Sequence, residues 1–289
     1  MLSRSSRSGY AAIAVAAAAL TAAGCTTSHK AASSGGAQPG SASSPASSLS
    51  AAKAVQVAAQ HAQSVTSFAA TMAVQTSGTQ TVSLSGTMEE RTQPTPLLVI
   101  NFGSFSLMGQ TVPGGIQEII NSNAIYLKMA ELSQMAGKPW VKMPLSGITK
   151  ASGVNLSQLF QQAESNNPLV ETQMLASSTN VRKVGTATID GVQTTEYTGS
   201  YPVSAGLAKL PASVRAKLEP QLQAMGLTTQ TFHLWLDNQQ QVRKVITTDQ
   251  GTKEQTTSTV NITSINQPVT VSLPPASQTA TVPASALAG

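Results

Sequence analysis

Hydrophobic and polar residues change their spacing several times along the chain, and each spacing predicts one kind of element. The first periodic segment begins after Ser50, where Val55, Ala58, Ala62 and Val65 recur at the spacing of one helix face. Serine is among the residue types that cap the N-terminus of a helix. The pattern therefore predicts an amphipathic helix from Ser50 to about residue 66.

The next segments alternate apolar residues with polar or small ones, which is the period of a half-buried strand. Residues 68–74 and 80–88 alternate in this way on either side of a polar turn, and this predicts a hairpin. Further predicted strands, rich in large or β-branched apolar residues, are Leu97–Phe102, Gly114–Ile119, Ala124–Met129 and Trp140–Met143. An antiparallel meander is the simplest arrangement of these strands.

The centre of the chain changes from strands to helices and back. Helical spacing predicts short helices over residues 155–163 and 168–175. Asp190 and Gly191 lie between two alternating segments and predict a tight hairpin turn, because both residue types accept a positive φ. A helical insertion follows over residues 205–227, broken or bounded by its two prolines.

The last part of the chain again has the period of strands. Residues 231–237 and 241–247 predict a second hairpin, and residues 253–265 and 269–273 predict two closing strands. Together the segments indicate one α+β domain over residues 50–273.

The N-terminus has the three parts of a signal peptide. Arg4 and Arg7 occur without an acid, Ala11–Leu20 is a ten-residue apolar run, and small residues lead up to Cys25. The run is about half of the roughly 20 residues that a membrane-spanning helix needs. We therefore predict a signal peptide over residues 1–24. The Ala-Gly-Cys ending resembles a bacterial lipobox, whose cysteine is lipidated, and ordinary secretion with a free Cys25 is the alternative.

Lipidation of Cys25 predicts a mature chain on the extracytoplasmic face of the cell membrane, held by acyl groups such as palmitate. Residues 25–49 then comprise this lipidated cysteine and a tether. Residues 26–49 are rich in Ser, Ala, Gly and Pro, which predicts a flexible linker. Residues 274–289 begin with two prolines and are predicted to be a disordered tail.

The composition argues against several classes of partner and site. Without residues 1–24 the chain has fifteen basic and twelve acidic residues, a net charge of +3. The basic residues are scattered and aromatic residues make up only 4%, which argues against nucleic-acid binding. A single cysteine excludes an intramolecular disulfide and a cysteine-based zinc site, and three histidines leave little material for an imidazole site. We expect no metal and no cofactor.

The chain also lacks the motifs of common catalytic sites. It has no nucleophile elbow, no phosphate-binding glycine motif and no Ser/His/Asp set at a recognisable spacing. Glu89 and Glu90 are adjacent carboxylates, but neighbours on a strand point to opposite faces, so a joint acid–base role is not expected. His61 is expected on a helix surface and His233 within a strand. We expect no catalytic residue and no enzymatic activity.

Several motifs follow the lipobox and the linker in a fixed order: "SVTSF", "AIYLKM", "KPWVKM", "IDGVQTTEYTG", "FHLWLDNQQQVRKV" and "PVTVSLP". Together they resemble the LppX/LprA/LprF/LprG-type lipoproteins of actinobacteria. The resemblance covers essentially all of residues 50–273 and depends on the order and spacing of the motifs. It implies a fold similar to LolA and LolB, in which a curled antiparallel sheet, or half-barrel, packs against helices around a hydrophobic cavity.

The cavity of that family accepts the acyl chains of glycolipids or phospholipids. The resemblance thus implies a lipid-binding lipoprotein of the cell envelope that takes part in lipid transport as a carrier or chaperone. Its partners would be an acylated lipid and the membrane, and no partner transporter can be named. The apolar faces nominate as cavity-lining residues Met72, Val74, Val82, Leu84, Ile125, Leu127, Leu156, Leu159, Phe160, Phe232, Leu234 and Leu236. The alternative is a non-enzymatic envelope interaction or sensor module, in which the same residues form a filled core.

Overall fold

The computed structural model describes residues 49–78, 81–103, 105–107, 110–112, 114–146, 167–224, 226–250 and 254–282. The strands in these ranges are β1 (Ser67–Gly78), β2 (Val82–Arg91), β3 (Leu97–Phe102), β4 (Phe105–Leu107), β5 (Gln110–Val112), β6 (Ile116–Asn121), β7 (Ala124–Lys128), β8 (Trp140–Pro144), β9 (Arg182–Ile189), β10 (Val192–Pro202), β11 (Thr229–Leu236), β12 (Val242–Gln250), β13 (Glu254–Ile265) and β14 (Thr279–Thr281). The helices are α1 (Ala51–Gln63), α2 (Ala130–Ala136), α3 (Pro168–Leu175), α4 (Val203–Leu207) and α5 (Ala212–Ala224), with a 3₁₀ turn at Ala276–Gln278.

All of these strands belong to one open sheet. Its order is β14-β8-β7-β6-β3-β2-β1-β13-β12-β11-β10-β9, and β4 pairs with β2 and β5. The paired strands run antiparallel, except that β14 is parallel to β8. The path ends at β14 on one side and at β9 on the other, so the sheet does not close. This architecture confirms the predicted α+β class, with a large antiparallel sheet against helices.

The predicted first helix is confirmed as α1. The Oγ of Ser50 accepts a hydrogen bond from the backbone N of Lys53 at 3.3 Å and caps the helix. Ala54, Val55 and Ala58 are at most 1% exposed and form its buried face. The amphipathic spacing of the sequence therefore marks the side of α1 that packs on the sheet.

The predicted helix over residues 168–175 is confirmed as α3. The side chain of Asn167 accepts a hydrogen bond from the backbone N of Leu169 at 2.8 Å, and Pro168 occupies the first turn, where its missing N–H costs nothing. α3 packs against α1, α4 and β10. It is thus an interior helix of the layer that covers the sheet.

The main core lies between these helices and one face of the sheet, which we call the inner face. Its most buried side chains are Val55, Phe68, Leu175, Tyr201, Phe232, Leu234 and Leu236. A second cluster lies on the opposite, outer face and contains Leu97, Val99, Ile119, Ala124, Tyr126 and Val269. The sheet therefore buries apolar side chains on both faces at β3, whose residues Leu97 and Val99 join the outer cluster while Leu98 joins the main core.

The predicted strand over residues 269–273 was wrong. Residues 267–275 have no regular secondary structure, yet Val269 is only 4% exposed and joins the outer cluster. The alternating apolar residues of this segment cover Leu97 and Val99 by side-chain packing, without pairing to a strand. The Nη1 of Arg91 fixes the segment by donating to the carbonyl oxygen of Val269 at 2.8 Å.

The predicted disordered tail over residues 274–289 also needs correction. Residues 276–278 form a 3₁₀ turn, and β14 pairs with β8, with Thr279 opposite Trp140. The Nζ of Lys138 donates to the carbonyl oxygens of Ala276 and Thr279, both at 3.4 Å. The open edge of β8 supplies backbone hydrogen-bond partners, which offset the entropy lost by the tail. Residues 283–289 lie outside the described residues.

The other differences between the predicted elements and the structure are smaller. The helical insertion consists of α4 and α5, and Pro211 lies between them. α2 was not predicted; it buries none of its residues and ends at Gly137 with a φ of 66°. Residues 1–48, with the predicted signal peptide, Cys25 and most of the tether, lie outside the described residues, as does the predicted helix at 155–163.

Candidate functional site

Strand pairing places the predicted lining residues of β1 and β2 on the inner face. Val74 lies opposite Leu84, and Val82 lies opposite Thr76, in the same pairing that sets Ala70 opposite Met88. Residues directly opposite each other share one face of a sheet. Because Ala70 and Met88 belong to the main core, Val74, Val82 and Leu84 point to the same side as the helices.

The same register extends to β7. Ile125 lies opposite Ile120, and Leu127 lies opposite Glu118. Ile120 packs against the main core, which places Ile125 and Leu127 on the inner face as well. The strands between β2 and β7 contribute Phe102 and Ile116 to this face, because Phe102 lies opposite both Gly86 and Ile116. Apolar side chains therefore line the inner face from β1 to β7, with Glu118 as an acid among them opposite Leu127.

The nine predicted lining residues in the described chain have three different environments. Phe232, Leu234 and Leu236 are at most 1% exposed and belong to the packed main core. Met72 is partly buried at the edge of that core. The other five remain partly exposed and belong to neither core cluster; we call them the open strip: Val74, Val82, Leu84, Ile125 and Leu127. Leu156, Leu159 and Phe160 lie outside the described residues.

A small cavity of about 220 Å³ lies at the end of α1. Its apolar wall includes Ala58, Val65 and Leu169, and its rim includes His61 and Asn266. This volume is below the roughly 300–1,000 Å³ of a typical small-molecule site. None of the predicted lining residues contributes to it, so the open strip is a separate surface.

A polar cluster that the sequence did not reveal lies on the inner face beneath α3. Tyr201, Gln230 and Asp249 are neighbours across β10, β11 and β12. The hydroxyl of Tyr201 donates to the Oε1 of Gln230, and the Nε2 of Gln230 donates to the Oε1 of Glu171 at 3.4 Å. Thr247 also hydrogen-bonds Glu171. Tyr201 and Gln230 are buried, whereas Glu171 and Asp249 are half-buried, so the cluster lies between α3 and the sheet with its two acids partly open to solvent.

Burial changes the acidity of this cluster. It raises the pKa of Glu171 to about 7; the charge of Asp249 raises this pKa too, and hydrogen bonds from Thr247 and Gln230 lower it. Burial raises the pKa of Asp249 to about 6, and a hydrogen bond with the side chain of Gln230 partly offsets this increase. The pKa of Tyr201 is raised well above its usual value, first by burial and then by the two carboxylates. Both acids therefore titrate near neutral pH.

The sequence contained one signal for this cluster. Gln230 lies two and four residues before Phe232 and Leu234 on β11. Side chains at this spacing point to the same face of a strand, so Gln230 points to the inner face as well. Glu171 lies in a helix whose other residues are mainly buried, among them Leu169, Val170, Thr172, Met174 and Leu175. Polar residues at apolar-face positions therefore mark the cluster.

Burial also raises the pKa of Glu118, an acid in the apolar surroundings of the inner face.

On the outer face, the Nδ1 of exposed His233 lies 2.7 Å from the Oε1 of Glu196. Glu89 and Glu90 lie opposite Ala69 and Phe68, which are neighbours on β1, so the two acids point to opposite faces. Within the described ranges no three His, Cys, Asp or Glu side chains are grouped to hold a metal ion. The helices of those ranges include none long and apolar enough to span a membrane.

No protein-family model matches the chain. An uncharacterized 31.2 kDa protein of Streptomyces griseus, from the rplA–rplJ intergenic region, is 28% identical over 129 residues. The match covers 43% of this chain and 42% of that protein, so it spans less than half of the relative's length.

Solved structures similar to this chain include two lipoproteins of the type that the sequence motifs resemble. LprF from Mycobacterium bovis is 14% identical with a TM-score of 0.49, over 78% of this chain and 96% of LprF. LppX from Mycobacterium tuberculosis is 18% identical with a TM-score of 0.44, over 77% of this chain and 98% of LppX. A LolA-superfamily protein from Nitrosomonas europaea is 8% identical with a TM-score of 0.25, over 78% of this chain and 96% of that protein. At such values the likenesses carry no inference about a ligand.

Proposed function

We propose that this protein is a lipoprotein anchored to the extracytoplasmic face of the cell membrane, and that it binds acyl chains of a glycolipid or phospholipid as a carrier or chaperone without catalysis. The observation that carries the proposal is the open strip. Its five aliphatic side chains continue the inner face beyond the packed core and stay partly exposed. Neighbouring apolar side chains that a folded domain leaves partly open to solvent are a feature of ligand-binding surfaces.

The chemistry of the open strip suits an acyl chain. The strip consists of Val, Leu and Ile side chains, and Met72 adjoins it with a flexible thioether. Burial of a methylene group stabilises a complex by about 0.8 kcal/mol, so a short length of chain already gives useful affinity. An aliphatic surface sets no requirement for a particular headgroup.

The predicted anchor supports the same function. A flexible tether of about 25 residues spans on the order of 25–30 Å root-mean-square. Lipidation at Cys25 would therefore keep the domain near the membrane from which a lipid ligand is taken.

The test is organic extraction and mass spectrometry of residues 26–289, which omit the signal peptide and Cys25. The protein is made in a lipid-containing bacterial host and purified without detergent. We expect a diacyl or triacyl lipid in stoichiometric amount. A lipid-free protein that also fails to take up added glycolipid and phospholipid would overturn the proposal and favour the envelope interaction or sensor module.

A further inference from the structure

The polar cluster beneath α3 joins a helix to three strands through titratable groups. Its members are Glu171 of α3, Tyr201 of β10, Gln230 of β11, and Thr247 and Asp249 of β12. The rest of the contact between α3 and its surroundings is mainly apolar. The cluster is therefore the polar attachment of α3 to the sheet.

The two carboxyl groups of the cluster share too few hydrogen-bond donors to be satisfied when both are ionised. The side-chain amide of Gln230 donates to Glu171 and is also a hydrogen-bond partner of Asp249. The Oε1 of Gln230 accepts from Tyr201, which fixes the amide so that its N–H groups face the acids. The Oδ1 of Asp249 is buried and has no hydrogen-bond partner in the described part of the chain. A proton on either acid would supply the missing donor.

In the described part of the chain, no cation is among the groups that shift the pKa of either acid. The charge of Asp249 raises the pKa of Glu171, and both carboxylates raise the pKa of Tyr201. Of the elements that pack against α3, α4 has no titratable side chain, and α1 carries Lys53 and His61, which are exposed. β10 also carries Tyr197, on the inner face, and Glu196, which pairs with His233. Arg243 of β12 is paired with Asp237.

We propose that this cluster is a proton-dependent clasp, which holds α3 on the sheet while at least one carboxyl group is protonated and loosens α3 when both are ionised. Two negative charges on these half-buried side chains repel each other, and the buried Oδ1 of Asp249 lacks solvation. Movement of α3 away from the sheet would relieve both costs. It would also uncover the inner face near Phe232, a core residue.

The direction of the pH effect follows from the two pKa values. Both are raised in the folded protein, from 4.5 to about 7 for Glu171 and from 3.8 to about 6 for Asp249. Folding therefore favours the protonated forms, and their contribution to stability is present at low pH and is lost as the pH rises through about 6 to 7. The clasp is closed at pH 5 and weakened at pH 8.

The test measures amide hydrogen exchange of α3 in residues 26–289 at pH 5 and pH 8, corrected for the intrinsic exchange rate at each pH. We expect the protection of α3 to fall about tenfold or more between the two pH values, because one unit of pKa shift corresponds to a factor of ten. In Glu171→Gln, which keeps the hydrogen-bonding shape but cannot ionise, the fall should be less than about threefold.

The matched control is Glu219→Gln on the exposed side of α5, which should retain the pH dependence of the unaltered protein. Asp249→Asn provides a second test at the other carboxyl group, should Glu171→Gln not fold. Equal pH dependence in the unaltered protein and in whichever clasp variant folds, or pH-independent protection of α3 in the unaltered protein, would overturn the clasp. No lipid is added, so this result and that of the extraction experiment are independent.

Discussion

Gly86 shows how one residue without a side chain shapes the inner face. A Cβ at this position would collide with the backbone carbonyl oxygen of Asn101 and would lie 2.7 Å from the Cδ1 of Phe102. The absence of a side chain thus lets the ring of Phe102 lie over β2, next to the open strip. The sequence pattern does not distinguish Gly86 from other small residues of β2. The close approach of β3 is what requires a glycine at this position.

We therefore expect Gly86→Ala to lower the free energy of unfolding by about 1–3 kcal/mol, because backbone atoms of β3 must move to admit a methyl group. Urea denaturation measures the change. Gly185→Ala on β9 is the control: a Cβ there has no atom within 4 Å, so its effect should stay within about 0.5 kcal/mol. Equal losses of stability in the two variants would show that the contact with β3 is not the cause.

Val82 offers a test of the open strip at the scale of one side chain. We expect Val82→Trp to reduce the lipid that copurifies, because an indole on the strip occupies space that an acyl chain would use, while the unfolding midpoint changes little. Mass spectrometry of the extract and a thermal melt measure the two effects. Val184→Trp is the matched control, since Val184 is 54% exposed on β9. If Val82→Trp instead costs about 1–3 kcal/mol of stability, as overpacking does, position 82 belongs to a filled core.

At the scale of elements, local signals in the sequence correspond well to the structure. Asp190 and Gly191 have φ values of 49° and 79°, as the turn between β9 and β10 requires. The turn between β11 and β12 depends on Asp237, whose Oδ1 accepts from the backbone N of Gln239 and Gln241 at 2.8 and 2.9 Å. Its Oδ2 accepts from the Nε and Nη2 of Arg243 at 2.9 and 2.8 Å. One side chain thus closes the hairpin.

Asp237→Ala should lower the free energy of unfolding by about 3 kcal/mol, because it leaves two turn N–H groups and the partly buried Arg243 without their acceptor. Chemical denaturation measures this loss. Glu196→Ala is the comparison, as it removes the more exposed pair with His233 and should cost less than about 1 kcal/mol. If Asp237→Ala lowers the free energy of unfolding by no more than Glu196→Ala does, the role of Asp237 in closing the hairpin is contradicted.

At the scale of the whole molecule, the outer face and the C-terminal segment complete the fold together. Val269 covers the outer cluster, and β14 then adds to the edge of β8. The inner face carries both the packed core and the open strip. One sheet thus combines a stable body with an apolar surface for the proposed ligand.

The predicted anchor is tested on the complete chain. Cys25→Ala should release the protein from the membrane fraction into the soluble envelope fraction, because the substitution removes the predicted attachment point of the acyl chains. Fractionation and immunoblotting measure the distribution. Ser28→Ala, three residues further on in the tether, should leave the chain with the membrane. Membrane association of Cys25→Ala equal to that of the unaltered chain would contradict the lipid anchor.

The sequence by itself determined the α+β class, α1, α3 and the hairpins, because helix caps, turn residues and the hydrophobic period act between residues close in the chain. It also nominated Val74, Leu84 and Leu234, each on the apolar face of its own strand, as residues that line one cavity. Only the tertiary structure separated the packed Leu234 from the open strip, because burial depends on which helix covers a strand. The path of residues 267–275 and the cluster of Glu171 with Asp249 were likewise decided by contacts between segments far apart in the chain. Such contacts leave no local period, since their partners are brought together only by folding.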